Sequence, residues 1–233
     1  VAFFRKHREL YAGTRTLADV AVLRSFRSLA WENFTTHLTT LLVEQVLIQN
    51  QVPFHTIYDD GLDRLNDYRA RVLAEVQFMS EQEMGKVRAY VSAGGGLFGV
   101  GSTSLYDEMG RQRYALGLAD VLGTDGTSRV EYGKGRAAYL PHVVPKMPLP
   151  ERRPSYQVDN HYWQLPQNAE EILSALLWCI GGRPSAEMDA GPTVAVEVCE
   201  RREPHLLILH AVNYDVKRAM GPISASVKLP DGA

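Results

Sequence analysis

Three consecutive glycines and a pair of small hydroxyl residues flank one short apolar segment. Residues 94–96 are glycines, residues 97–100 have the apolar pattern of a strand, and Gly101, Ser102 and Thr103 follow. In an open α/β sheet, binding and catalysis take place at the carboxyl ends of the central strands. The segment therefore marks the place where a site is expected, although neither cysteine nor histidine stands there.

Cofactor and metal sites are not supported by the residue patterns. A dinucleotide site needs glycines between the first strand and its helix, but residues 27–32 contain none. A phosphate loop ends in Gly-Lys-Ser/Thr, which neither residues 94–101 nor residues 133–136 provide. The seven histidines and two cysteines form no HxH, HExxH or CxxC pattern. The sequence predicts no cofactor and no metal site.

For nucleophilic catalysis and for carboxylate catalysis, the sequence offers candidate residues but no complete motif. Ser102 and Ser104 follow a predicted strand, but residues 99–104 are not a G-x-S-x-G elbow, and we expect their hydroxyls to satisfy loop or helix amides. Paired acids are needed for glycoside chemistry. The carboxylates predicted at strand ends are Asp59, Asp60, Glu75 and Asp107. Asp59 and Asp60 are typical of a turn, whereas Glu75 lies in or at the end of an apolar strand.

Strands and helices alternate along most of the chain, with short connections between them. Strands are predicted at residues 19–26, 54–58, 71–76, 97–101 and 135–140. Helices are predicted at residues 33–51, 62–68, 80–93 and 169–180, the third beginning with the capping box Ser80–Glu83. This alternation predicts an α/β fold, a parallel sheet covered by helices on both faces.

After Gly182 the pattern changes to strands without intervening helices. Residues 194–198, 206–212 and 223–229 are predicted to be strands, and strands joined in this way are antiparallel. We therefore expect a lead-in arm over residues 1–18, an α/β domain over residues 19–183 and the start of a β-rich domain over residues 184–233.

Composition excludes several classes of partner. The net charge is −2 and the basic residues are scattered, which predicts neither a nucleic-acid partner nor a membrane surface. Two cysteines in a chain of this length are expected to be buried free thiols, and the cytoplasm is the expected compartment. The chain starts at Val1 and ends in a strand-and-turn pattern, so we expect a piece of a longer polypeptide.

Several segments in order carry a resemblance to a known family. They are DVAVLRSF, LLVEQVLIQNQVPF, RVLAEVQFMSEQEMGKVRAYVSAGGGLFGVGSTSLYDE, GLADVLG and GKGRAAYLP. Residues 19–141 resemble the class I glutamine-amidotransferase-like domain, the flavodoxin-like trimerisation domain of family 42 β-galactosidases and related multidomain bacterial glycoside hydrolases. HAVNY at residues 210–214, followed by SASVKLPDG, resembles the opening of the β-rich domain that comes next in such proteins.

The resemblance implies a flavodoxin-like, doubly wound sheet in a glycoside hydrolase of carbohydrate metabolism. Its partners would be a catalytic barrel domain of the same polypeptide and further copies in a homo-oligomer. The wider superfamily places a catalytic cysteine after the glycine turn, in patterns such as G-G-x-x-x-G-x-C. In this chain Gly101 takes that position, or Ser102 if the register shifts by one residue. We therefore expect a non-catalytic structural or oligomerisation domain.

Two alternatives use the strand ends directly. A sugar- or metabolite-binding module would line the crevice with residues that follow three of the strands: Ser25, Arg27, Glu75, Gln77, Gly101, Ser102, Thr103 and Tyr106. A cryptic serine hydrolase would use Ser102 or Ser104.

Overall fold

The computed structural model describes residues 2–31, 33–123, 126–148, 164–203 and 205–228. Its strands are β1 (Arg15–Leu17), β2 (Val20–Leu23), β3 (Phe54–Ile57), β4 (Ala70–Ala74), β5 (Gly96–Val100), β6 (Ser128–Tyr132), β7 (Gly135–Leu140), β8 (Ala186–Met188), β9 (Val194–Arg201), β10 (Leu206–Asn213) and β11 (Ala225–Val227). Its helices are α1 (Ala2–Lys6), α2 (Arg8–Tyr11), α3 (Phe26–Trp31), α4 (Asn33–Gln49), α5 (Glu81–Ser92), α6 (Ala119–Leu122) and α7 (Ala169–Cys179), with a 3-10 helix over Asp59–Asp67.

A six-stranded sheet in the order β3-β2-β4-β5-β7-β6 organises the larger part of the molecule. All neighbouring strands are parallel except β6, which runs antiparallel to β7. Helices α4 and α7 pack on one face of the sheet, and α5 and α6 pack on the other. The predicted α/β fold with helices on both faces is confirmed.

Burial on both faces explains why the central strands are apolar throughout. Every residue of β4 and β5 is buried, as expected for parallel strands covered on both sides. Gly96 in β5 lets the end of α7 approach closely, because a Cβ there would lie 2.2 Å from the carbonyl oxygen of Cys179. The sheet and α7 thus pack so closely at Gly96 that a side chain there would clash with the helix backbone.

Helix α5 begins at the predicted capping box. The Ser80 hydroxyl accepts a hydrogen bond from the backbone N–H of Glu83 (3.2 Å), and the Glu83 carboxylate accepts one from the backbone N–H of Ser80 (2.6 Å). Two backbone donors that the helix leaves unpaired are satisfied in this way. Gly94 follows the helix with a φ of 124°, so α5 ends at the predicted glycine.

The remaining strands form antiparallel sheets, as predicted. Strands β9 and β10 form a hairpin, β1 adds to the free edge of β9, and β8 pairs separately with β11. Part of the predicted lead-in arm therefore forms a strand, since β1 pairs with a strand of the β-rich part. The boundaries after residues 18 and 183 stay predictions, and residues 229–233 lie outside the described part.

Two predicted strands are shorter in the structure, and one strand of the structure was not predicted. The strand predicted over residues 19–26 ends at Leu23, because the Ser25 hydroxyl accepts from the Ser28 N–H (3.3 Å) at the start of α3. Strand β6 was not predicted. Its alternating exposure is that of an edge strand, and a turn at Gly133 (φ 60°) connects it to β7. Strand β11 occupies part of the third predicted β-rich strand and pairs with β8.

Candidate functional site

The candidate residues follow the carboxyl ends of β2, β4 and β5, which are adjacent in the sheet. Ser25 and Arg27 come after β2, Glu75 and Gln77 after β4, and residues 101–106 after β5. Since these strands are parallel, their ends lie on the same side of the sheet. We call this side the strand-exit edge.

The side chain of Glu75 fills the space beside Gly101, the residue that the resemblance aligns with the superfamily's cysteine. Glu75 and Gly101 both have left-handed backbone, with φ of 55° and 63°. A Cβ built on Gly101 would lie 1.8 Å from Oε1 of Glu75, a separation that no two atoms in van der Waals contact can have. The carboxylate therefore fills the space that a cysteine at this position would use.

The Glu75 carboxylate also takes up hydrogen-bond donors of the site. Its Oε2 accepts from the backbone N–H of Ser102 (3.0 Å) and from Nε2 of Gln77 (3.4 Å). The Tyr139 hydroxyl donates to the carbonyl of Gly101 (2.9 Å), and burial together with the nearby Glu75 raises the pKa of Tyr139. The backbone N–H of Ser102 is thus hydrogen-bonded to a side chain of the protein itself.

The hydroxyls of Thr103 and Ser104 are committed to the fold. Thr103 is fully buried and its hydroxyl lies within hydrogen-bonding distance of the carbonyls of Leu73 (2.7 Å) and Val100 (2.8 Å). Ser104 is also fully buried, and its hydroxyl accepts from the backbone N–H of Leu118 (3.0 Å). Both side chains hold the loop after β5 in place, and the Ser104 hydroxyl satisfies a backbone amide as predicted.

Arg27 links two elements at the strand-exit edge. Its guanidinium donates to the Glu83 carboxylate of the capping box (2.9 Å). That hydrogen bond raises the pKa of Arg27. Burial raises the pKa of Glu83, but hydrogen bonds from Arg27 and Ser80 outweigh it and leave the pKa lowered. Both groups are therefore charged at neutral pH, and the pair fastens α3 to the start of α5.

An aromatic stack that no pattern in the sequence predicts adjoins these residues. The rings of Phe78 and Tyr106 are stacked at 4.9 Å, and Trp31 stacks on Phe78 at 5.9 Å. Phe78 and Tyr106 come together because residues 77–79 and 106 are joined by backbone hydrogen bonds. Trp31 is 63% exposed, so it presents an open aromatic surface at the strand-exit edge.

Two of the other candidate carboxylates, Asp59 and Asp107, serve a helix start and a turn. Asp59 accepts from the backbone N–H of Phe26 (2.8 Å) at the first residue of α3. Asp107 accepts from the backbone N–H of Met109 (2.9 Å) and of Arg111 (2.8 Å), and these bonds, the one from Arg111 first, lower the pKa of Asp107. Neither carboxylate forms an opposed pair with Glu75 in these contacts.

Potential metal ligands gather elsewhere. In the described ranges, the one group of three or more such side chains is Glu197, Cys199 and His210, in the antiparallel sheet. Within the same ranges, the helices are too short or too polar to cross a bilayer.

Comparison with known proteins shows likeness in structure alone. Neither a protein-family model nor a curated protein matches the sequence. The GH42 β-galactosidase Gan42B from G. stearothermophilus matches with a TM-score of 0.60 and 13% identity, over 84% of this chain and 34% of that one. A β-galactosidase from Bacillus circulans sp. alkalophilus matches with a TM-score of 0.63 and 11% identity, over 92% and 41%.

A second enzyme type is also similar. The α-L-fucosidase isoenzyme 2 of Paenibacillus thiaminolyticus matches with a TM-score of 0.60 and 16% identity, over 98% of this chain and 44% of that one. The chain thus spans less than half the length of each of these enzymes. It has the fold of a part of these larger chains, an α/β unit followed by antiparallel strands.

Proposed function

We propose that this chain is a non-catalytic domain of a multidomain, β-galactosidase-like glycoside hydrolase. Its role is to pack against the catalytic barrel of the same polypeptide and between subunits of a homo-oligomer. The resemblance of residues 19–141 to trimerisation domains supports this, as does the fold that the chain shares with parts of GH42 enzymes. In this proposal residues 1–18 lead from the barrel, residues 19–183 form the amidotransferase-like domain and residues 184–233 begin the β-rich domain.

The observation that carries the proposal is the contact between Glu75 and Gly101. The carboxylate lies where a nucleophilic side chain would project and accepts the N–H of Ser102. Nucleophilic catalysis needs an activated side chain with room for substrate beside it. In this proposal, the structural hydrogen bond from Ser102 to Glu75 stands where the wider superfamily has its nucleophile.

Exposed apolar side chains at the same edge support a packing role. Phe26 follows β2, Tyr58 follows β3 and Met109 lies in the loop after β5; they are 74%, 57% and 68% exposed. Trp31 adds to them. Large apolar residues clustered on one side of a domain are typical of an interaction surface.

Sedimentation velocity tests the packing between subunits. The purified chain is expected to self-associate with rising concentration, and the double variant Trp31→Ser, Met109→Ser is expected to weaken the association at least tenfold. The control is Val216→Ser, which removes a 94% exposed apolar side chain from the β-rich part. A chain that is monomeric at every concentration, or an equal effect of the control, contradicts packing through the strand-exit edge.

A sugar- or metabolite-binding module at the same edge is the second candidate, and the aromatic stack favours it. An exposed indole can bind the apolar face of a ring, with Arg27, Gln77 and Ser102 nearby as polar groups. A specific mono- or disaccharide would raise the melting temperature of the chain. The increase would be lost in Trp31→Ala. A melting temperature unchanged across such a panel counts against this candidate.

A serine hydrolase is the third hypothesis. The contacts of Ser104 oppose it, because that hydroxyl is fully buried and already hydrogen-bonded. A fluorophosphonate probe should fail to label the native chain, whereas labelling that is lost in Ser102→Ala would support the hypothesis.

The two buried free cysteines favour a reducing compartment, and we propose the cytoplasm.

A further inference from the structure

Three side chains of different chemistry converge on one face of the β9–β10 hairpin. Glu197 and Cys199 are two residues apart in β9, so they project from the same face of the strand. His210 in β10 is the direct cross-strand partner of Glu197. The register of the hairpin therefore brings together a carboxylate, a thiol and an imidazole that are separated along the chain.

The distances between the ligand atoms of the three side chains are only slightly longer than those in a zinc site. One ligand atom from each side chain lies within 4.8 Å of the other two. Tetrahedral zinc, with bonds of about 2.0–2.3 Å, separates its ligand atoms by about 3.3–3.8 Å. Small side-chain rotations would close that difference without moving the backbone, because the two strands are already fixed by their ladder of hydrogen bonds.

Two aromatic rings lie against the imidazole of this group. The ring of Tyr11 stacks on His210 at 5.3 Å with an angle of 23°, and Phe4 lies 6.3 Å from the same ring. Cys199 is buried, whereas Glu197 is exposed. The aromatic rings restrict His210 on one side, and the exposed carboxylate leaves a path by which an ion can enter.

We propose that Glu197, Cys199 and His210 bind a single zinc ion that links β9 to β10. Thiolate and imidazole ligands select zinc over magnesium or calcium, which prefer oxygen ligands. Three protein ligands leave the fourth tetrahedral position to water. The proposal is independent of the role of the strand-exit edge. The sequence patterns missed the site because its ligands meet across a hairpin rather than in a short motif.

Metal titration of the purified chain tests the proposal. After treatment with a chelator, the chain is expected to bind one zinc ion, measured by competition with a chromophoric chelator. Cobalt(II) at the same site should give the visible absorption of tetrahedral coordination together with a thiolate charge-transfer band. Cys199→Ser and His210→Gln are each expected to weaken zinc binding at least tenfold, and Cys199→Ser to abolish the charge-transfer band.

The matched control is His205→Gln, which removes an exposed histidine that immediately precedes β10 and should leave binding unchanged. Circular dichroism establishes that each variant is folded. His210 is only half-buried, so His210→Gln keeps the test available if Cys199→Ser fails to fold. Binding that is equally strong in His210→Gln, or a cobalt spectrum without the thiolate band in the wild-type chain, overturns the proposal.

Discussion

Glu75 and Ser104 share an unusual backbone at the strand-exit edge. Their φ angles are 55° and 63°, and left-handed backbone at a residue other than glycine costs about 1–3 kcal/mol. Hydrogen bonds between the loops after β4 and β5 offset that cost: the N–H of Ser104 donates to Val76 (2.8 Å) and that of Tyr106 to Gln77 (2.9 Å). The loops thus hold Glu75 in an orientation that it would not otherwise favour.

Replacement of Gly101 by alanine should destabilise the chain through a clash with Glu75. Left-handed strain and overpacking together should cost about 2–4 kcal/mol. In a Glu75→Ala background the same substitution should cost about 1 kcal/mol, since strain alone remains. Urea unfolding of the double-mutant cycle measures the coupling, which should exceed about 1 kcal/mol.

The control for this cycle is Gly13→Ala. Gly13 also has positive φ (72°), but a Cβ there meets nothing within 4 Å. Its substitution should cost the strain alone and show no coupling to Glu75→Ala. Additive effects of Gly101→Ala and Glu75→Ala would mean that the carboxylate does not lie against Gly101.

Alkaline pH should weaken the fold through Cys179. Burial raises the pKa of this thiol from about 9 to about 12. The unfolded chain therefore releases the proton from about pH 9 upward while the folded chain retains it, and stability falls by about 1 kcal/mol for each pH unit above 9. Urea unfolding at pH 8 and pH 10 should show a smaller loss in Cys179→Ala than in the wild-type chain. An identical loss in both proteins would contradict the burial of an ionisable thiol.

The contact at the centre of the candidate site could not be predicted from the sequence. The alternation of strands and helices predicts Glu75, Gln77, Gly101 and Ser102 at strand ends, and in the structure these four residues are in contact. The direction of the Glu75 carboxylate depends on a positive φ, which glutamate seldom adopts and no local pattern signals. The stack on Phe78 was missed for a similar reason, since it depends on pairing between two loops.

At the level of the elements, an added methyl group is expected to have opposite effects on stability at a glycine in α5 and at a glycine in β5. Gly85 lies inside α5, where a Cβ would meet nothing within 4 Å, whereas one on Gly96 would meet the backbone of α7. Gly85→Ala should therefore stabilise the chain by about 0.5–1 kcal/mol. Gly96→Ala should destabilise it by about 1–3 kcal/mol or more. Thermal unfolding of the two variants beside the wild-type chain measures both changes, and a stabilising Gly96→Ala would contradict the packing of α7 on β5.

Elements with a strong local signal in the sequence were predictable, and those defined by pairing with a distant strand were not. The buried runs of β4 and β5 and the capping box of α5 are local signals, and each led to the correct element. Strand β1 is too short and too exposed to give a pattern, because it is defined by its pairing with β9. Strand β6 is an exception, because its side chains alternate in exposure and a glycine turn follows it, so a local signal was present in the sequence.

In the whole molecule, the β-rich part is joined to the amino ends of the parallel strands. The Asp19 carboxylate, just before β2, accepts from the backbone N–H of Ser185 (2.6 Å) and from Arg69 (3.1 Å), which precedes β4. Gln51, ahead of β3, donates to the carbonyl of Val194 (3.3 Å). The strand-exit edge lies at the opposite end of the same strands. The β-rich part is thus attached away from the apolar edge for which we propose a packing role.

Assay of the purified chain on nitrophenyl β-galactoside and related aryl glycosides tests the proposed non-catalytic role most directly. Because Glu75 fills the space beside Gly101 and accepts the N–H of Ser102, the chain should hydrolyse these substrates no faster than buffer. Turnover that co-purifies with the chain and is lost in Glu75→Gln or Ser102→Ala would contradict a non-catalytic strand-exit edge.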